Sequence, residues 1–243
     1  MSTSIEIGVN RLNRVAIVIG VSAVLLLPLF FWGMYAGDGQ IHVVYGEQAA
    51  QGHFFEFNPG EKSAGVTSPG FMLLLAGLFK IMNPEFIPLA VKLLNLAAWY
   101  LSVLVVFRLA MWFLNDAHWS WFAAVVAGLL PGSAYNANVG MENGFFALAI
   151  LFVVHQLASR GWLDPVRRIA WPQHFEMALL LGLSCWFRPE GVVLAALLFG
   201  FVAWCRYNGV RTVPLRNELL GVMVGIVVFS ALLVSLVAFH YFQ

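Results

Sequence analysis

Apolar residues along this chain do not alternate with polar ones; they come in long runs separated by short polar breaks. Six runs, 15–35, 86–107, 119–132, 144–158, 191–205 and 219–239, approach the roughly 20 apolar residues that a bilayer-crossing helix needs. A seventh, 175–187, is shorter but lies between clear polar loops. The pattern predicts an all-α, polytopic helical membrane protein with about seven transmembrane helices in a single module over 1–243. The first run is too long for the apolar region of a cleavable signal peptide and lacks a small-residue cleavage site.

The run 71–82, FMLLLAGLFKIM, has only twelve residues and contains Lys80. That length suits an interfacial or re-entrant helix better than a span. Charge placement decides the matter, because Lys and Arg accumulate on the cytoplasmic side. With 71–82 lying flat on the outer surface, Arg11, Arg14, Arg108, Arg160, Arg167, Arg168, Arg206, Arg211 and Arg216 all fall inside. Only Lys62, Lys80, Lys92 and Arg188 are left outside. If 71–82 spanned, every later loop would invert and seven of those nine arginines would move out. The N-terminus is therefore expected in the cytoplasm, and the long loop 37–69 outside.

Composition supports a membrane class and removes others. The chain is 61% hydrophobic and 10% charged, with a mean hydropathy of +0.83, against about 25% charged residues in soluble domains. A net charge of +1 implies no nucleic-acid partner. Cys185 and Cys205 both sit inside apolar runs, so neither a disulfide framework nor a thiolate metal site is readable.

Candidate chemistry gathers on the outer face, which collects Asp38, Glu47, Glu56, Glu61, Glu85, Glu142, Glu190, His42, His53, His240 and the polar run 133–138. Within the outer loop, 40–51 reads as a short interfacial helix, Asn58-Pro59-Gly60 as a turn, and Ser68-Pro69 as the N-cap and first position of the next helix. Asp38 follows the first span, between two glycines. It reads either as a base for an acceptor hydroxyl or as a solvated acid at a helix start. Arg188-Pro189-Glu190-Gly191 interrupts two apolar helices. An arginine at that depth needs an anionic ligand or an internal partner, Glu142 or Glu190. The outer histidines show no compact ligand spacing, so a divalent metal is unsupported and no cofactor is required.

The loop GDGQIHVVYGEQAAQGHFFEFNPGEKSAGVTSPGFMLLLAGLFKI, followed in order by GMENGFFALAILF (140–152), FRPEGVVLAALL (187–198) and AFHYFQ (238–243), resembles GT-C type membrane glycosyltransferases. These include the dolichyl-phosphate-mannose mannosyltransferase-like and arabinofuranosyltransferase-like families. The resemblance implies a first span leading into an outer loop with two juxtamembrane helices, the second being 71–82. It implies a polyprenyl-phosphate sugar donor, a glycan, lipid or protein hydroxyl acceptor, and a place in a bacterial plasma membrane with the active face outside. It makes Asp38 the catalytic base, preceded by Gly37 where many members carry a second acid. Arg188, Glu190, Glu142, Lys62, His42, His53, Thr67 and Ser68 become candidate substrate contacts. In similar proteins the point reached at His240 leads into further spans. The chain is thus expected to be the N-terminal module of a longer enzyme, or half of a split one with a second chain supplying the rest. The alternative function is a non-catalytic subunit, or a polyprenyl-lipid-binding or transport protein on the same scaffold.

Overall fold

The computed structural model describes residues 2–63, 65–164, 167, 169–208 and 215–241. Arg168, Arg211, Phe242 and Gln243 lie outside the described residues, as do the side chains of Arg11, Arg206, Arg216 and His240. Among the described residues ten α-helices follow one another: α1 (Ser2–Phe30), α2 (Gly37–Ala50), α3 (Pro69–Ile81), α4 (Ile87–Leu114), α5 (Ala117–Leu129), α6 (Pro131–Asn136), α7 (Asn143–Ser159), α8 (Trp171–Phe187), α9 (Gly191–Asn208) and α10 (Leu215–Tyr241). A 3₁₀ turn, Pro84–Phe86, opens α4. The only strands among the described residues are β1 (Glu56–Asn58) and β2 (Glu61–Lys62), an antiparallel pair closed by the predicted Asn58-Pro59-Gly60 turn, with Gly60 at φ +86°. With 78% of residues helical, the fold is all-α.

Among the described residues two helical stretches, Pro84–Leu114 and Gly221–Phe239, are long and apolar enough to cross a membrane. Shorter apolar helices, Arg14–Phe30, Pro69–Ile81, Ala117–Leu129, Asn143–Ser159 and Gly191–Cys205, accompany them. Large apolar side chains such as Phe30, Leu93, Phe113, Val193 and Val227 remain exposed along several helices, an arrangement that water does not favour over so wide an area.

Several boundaries move from the sequence reading. α1 stops at Phe30 rather than residue 35, with Pro28 in its last turn and the chain then turning through Phe31–Met34. The run 119–132 is broken: Pro131 has no N–H to continue α5, which ends at Leu129, and Pro131 instead starts α6. The α4–α5 corner is built locally, from Asn115 in the left-handed region at φ 49° and from Asp116, whose carboxylate accepts from His118 N (2.8 Å) and Trp119 N (3.1 Å). α8 begins four residues before 175, because Pro172 is tolerated in a first turn. Ser68 does stand at the N-cap of α3, but its hydroxyl makes no capping bond.

Among the described residues four buried clusters hold the helices together. α7, α8 and α9 meet around Val153, Met177, Leu181 and Ala195. α1, α4 and α6 meet around Val24, Trp99 and Ala134. The outer loop is itself packed: Tyr45 and Ala49 of α2 join Phe55, Val66 and Met72, and Phe54 and Phe55 lay their rings edge-on against Phe239 of α10. Phe71 and Leu75 of α3 seat on Ile87 and Val91 of α4. The short helix read over 40–51 is present, starting three residues earlier as α2. α2, the hairpin and α3 form one apolar cap over one end of the bundle.

Candidate functional site

The N-terminus of α2 is fixed against the segment before α7. Ala36 N donates to Val139 O at 3.0 Å. A Cβ on Gly39 would run into that same carbonyl, and Gly140, at φ +76°, lies under the ring of Tyr35. This close approach needs glycine at both places. Its consequence is that the next turn of α2 delivers His42 to the start of α7.

There Glu142, only 1% exposed, is held between two nitrogen bases. Arg188 Nε lies 3.3 Å from Oε1, and His42 Nε2 lies 3.2 Å from Oε2. Both contacts favour the ionised form of the carboxylate. Arg188 also lies 3.7 Å from the exposed Glu190. The two partners that the sequence offers Arg188 are thus both present. Arg188 closes α8 in extended conformation and donates its N–H to Ser184 O, so the side chain leaves the helix end sideways toward α7.

Beneath these charges runs an aromatic floor. His42 meets the edge of Phe71 (5.5 Å), Phe71 meets Phe145 (5.8 Å), and Phe145 stacks on Phe187 (5.7 Å). Phe71 is buried and Phe145 and Phe187 half-buried, so this side of the carboxylate is apolar, which strengthens the ionic contacts.

Burial pushes the Glu142 carboxyl up, but the contact with His42 and the charge of Arg188 pull it down by more, so it titrates below the ordinary carboxylate range. A carboxyl whose pKa is lower folded than unfolded stabilises the fold above the unfolded value, about 4.3. That contribution is lost as pH falls through the folded value. The melting temperature of the wild type is therefore expected to fall more steeply than that of Glu142→Gln below about pH 4, the two converging at the acid end. Parallel curves would show that Glu142 is not held ionised by its neighbours.

Asp38 lies in the first turn of α2 and is exposed. It is one turn before His42, on the same side of the helix. Among the described residues it forms no hydrogen bond or ion pair. It is thus the first-turn acid of α2 and not its N-cap, which is Ala36. Ser68 is fully buried at the start of α3 with its Oγ unpartnered, and Gly70 beside it packs on the backbone of Trp186. His53, Lys62 and Thr67 are not drawn into the cluster. His53 Nδ1 lies 3.2 Å from Glu56 within the hairpin region, and Lys62 and Thr67 are exposed. Among the described residues, no three His, Cys, Asp or Glu side chains come together as metal ligands.

No protein-family model, curated protein or solved structure matches the chain.

The geometry alone therefore carries the chemistry. A cation oriented by a buried acid suits a phosphate, since the guanidinium fork retains donors beyond the Nε that faces the carboxylates. A free carboxylate one turn from a buried imidazole suits proton abstraction at the surface. Sequence reasoning missed the floor of Phe71, Phe145 and Phe187. It also missed the pairing of His42 with Glu142, for which the only signal is the four-residue spacing from Asp38.

Proposed function

We propose that this chain moves a sugar from a polyprenyl-phosphate donor to an acceptor hydroxyl at the outer leaflet of a bacterial plasma membrane, as GT-C type glycosyltransferases do. In this reading α1, α4, α5, α7, α8, α9 and α10 are the seven spans. α2 and α3 are the juxtamembrane helices, and the N-terminus is cytoplasmic. The observation that carries it is the convergence of His42, Glu142 and Arg188 at one end of an apolar helix bundle, with the exposed Asp38 one helical turn before His42.

Asp38 takes the proton of the acceptor hydroxyl, whose oxygen attacks the anomeric carbon. The bond from that carbon to the phosphate oxygen breaks with its electron pair, and polyprenyl phosphate leaves. Charge grows on the departing phosphate, where Arg188 stabilises it. Glu142 positions Arg188 without touching substrate, and Glu190, exposed and 3.7 Å from the same nitrogen, yields its place to the phosphate.

The test is binding and transfer with polyprenyl-phosphate mannose and polyprenyl-phosphate arabinose, using the protein in nanodiscs. Arg188→Ala is expected to weaken polyprenyl-phosphate binding by about tenfold or more, the worth of a charge-assisted hydrogen bond; Arg188→Lys loses less. Binding unchanged in Arg188→Ala sinks the phosphate assignment. Binding without turnover in the wild type moves the reading to a lipid-binding subunit.

A further inference from the structure

α2 presents two opposite faces. At 3.6 residues per turn, Asp38, His42, Tyr45 and Ala49 fall on one side, and Gln40, Val43 and Val44 on the other. The first side carries the buried residues that meet Glu142 and α3. The second lines a cleft of about 440 Å³ with Tyr35, Pro88 and Lys92. The body of α2 therefore separates this cleft from the carboxylate site.

Lys92 is the cation of the cleft. It lies five residues into α4, about 7.5 Å from the start of that helix, in a stretch long and apolar enough to cross a membrane. Its Nζ donates to the carbonyl of Trp32, just past the end of α1, and lies 5.3 Å and 5.7 Å from the ring centroids of Trp32 and Tyr35. Both rings are within cation–π range. These contacts fix the ammonium at the cleft wall but supply no counter-charge. Among the described residues no carboxylate lies within ion-pair distance of Lys92. An ammonium has three donors, and Trp32 takes one. Gln40 lines the same cleft, with Val43, Val44 and Pro88 as its apolar part.

We propose that this cleft binds one glycerophospholipid, its phosphodiester on Lys92 and Gln40 and an acyl chain along Val43, Val44 and Pro88. Charge complementarity chooses the occupant: an unpaired ammonium stands near the polar end of a membrane-crossing helix, in a cleft with an apolar part. Glu47, one turn beyond Val43 on the same face of α2, disfavours head groups of high negative charge. The site therefore reads the phosphodiester shared by phosphatidylglycerol and phosphatidylethanolamine. The bound lipid braces α2 from the side opposite His42.

Native mass spectrometry of the full chain, incubated in detergent with phosphatidylglycerol, phosphatidylethanolamine or diacylglycerol of the same acyl chains, tests this. The wild type is expected to retain one molecule of either phospholipid and no diacylglycerol. Lys92→Met is expected to lower retention by about fivefold or more, whereas Lys92→Arg keeps it. Because Lys92→Met also removes the contact with Trp32, Val44→Trp serves as companion, filling the cleft with the ammonium left in place. It is expected to lose the lipid with an unchanged melting temperature. Equal retention by wild type, Lys92→Met and Val44→Trp overturns the proposal, as does diacylglycerol held as well as phosphatidylglycerol.

Discussion

Replacing Asp38 by Asn is expected to lower sugar transfer by about 10²–10⁴-fold, the usual worth of a positioned general base, while lipid binding holds and the melting temperature falls by no more than a few degrees. The separation follows from the position of the side chain. Asp38 is exposed and, among the described residues, forms no hydrogen bond or ion pair, so no packing depends on it. Its one structural contribution is a negative charge in the first turn of α2, worth about 0.3–1 kcal/mol at such a place. Asparagine keeps the size and removes the basic oxygen. Initial rates at saturating donor, wild type against Asp38→Asn, decide the matter. A retained rate sinks the base assignment, and a loss matched by lost lipid binding would mean that Asp38 contacts donor instead.

Most helices were legible because an apolar run has few alternatives, whereas their ends were not. The run 119–132 reads as one element by hydropathy, yet Pro131 divides it, since a missing N–H is a local fact that averaging hides. α8 extends back to Trp171 because polar residues at a first turn cost a helix little. In the site, Arg188 and Glu142 were readable from solvation: a guanidinium at a break between apolar helices needs an anion, and Glu190 stands two residues away while Glu142 opens another apolar run. The inward turn of His42 was not readable. It depends on Gly39 and Gly140 allowing α2 to sit directly on the 139–140 carbonyls, a contact between segments a hundred residues apart. The cleft at Lys92 was hidden for the same reason. Trp32, Gln40 and Lys92 are brought together only when α1, α2 and α4 have packed.

Glu142→Ala is expected to cost about 3–5 kcal/mol, the range for removing one partner of a buried ion pair. The low end is the better expectation, because Arg188 stays 34% exposed and recovers part of its hydration. His42 is only 5% exposed and has no such recourse: its Nδ1 is already unpartnered, and the variant would leave Nε2 so as well. The cost should therefore fall with the partners. A double-mutant cycle of Glu142→Ala with Arg188→Ala, followed by denaturant titration in mixed micelles, is expected to give a coupling energy of about 1–3 kcal/mol. Additive losses would mean that Glu142 stabilises the fold through packing alone, and that the geometry of Arg188 is set elsewhere. Coupling would tie stability to substrate binding. On the proposed function, a phosphate reaching Arg188 would compete with Glu142 and Glu190 for the same guanidinium, and the exposed Glu190, held at 3.7 Å against 3.3 Å, would be the partner displaced first. The buried acid then keeps Arg188 aimed while the surface acid gives way.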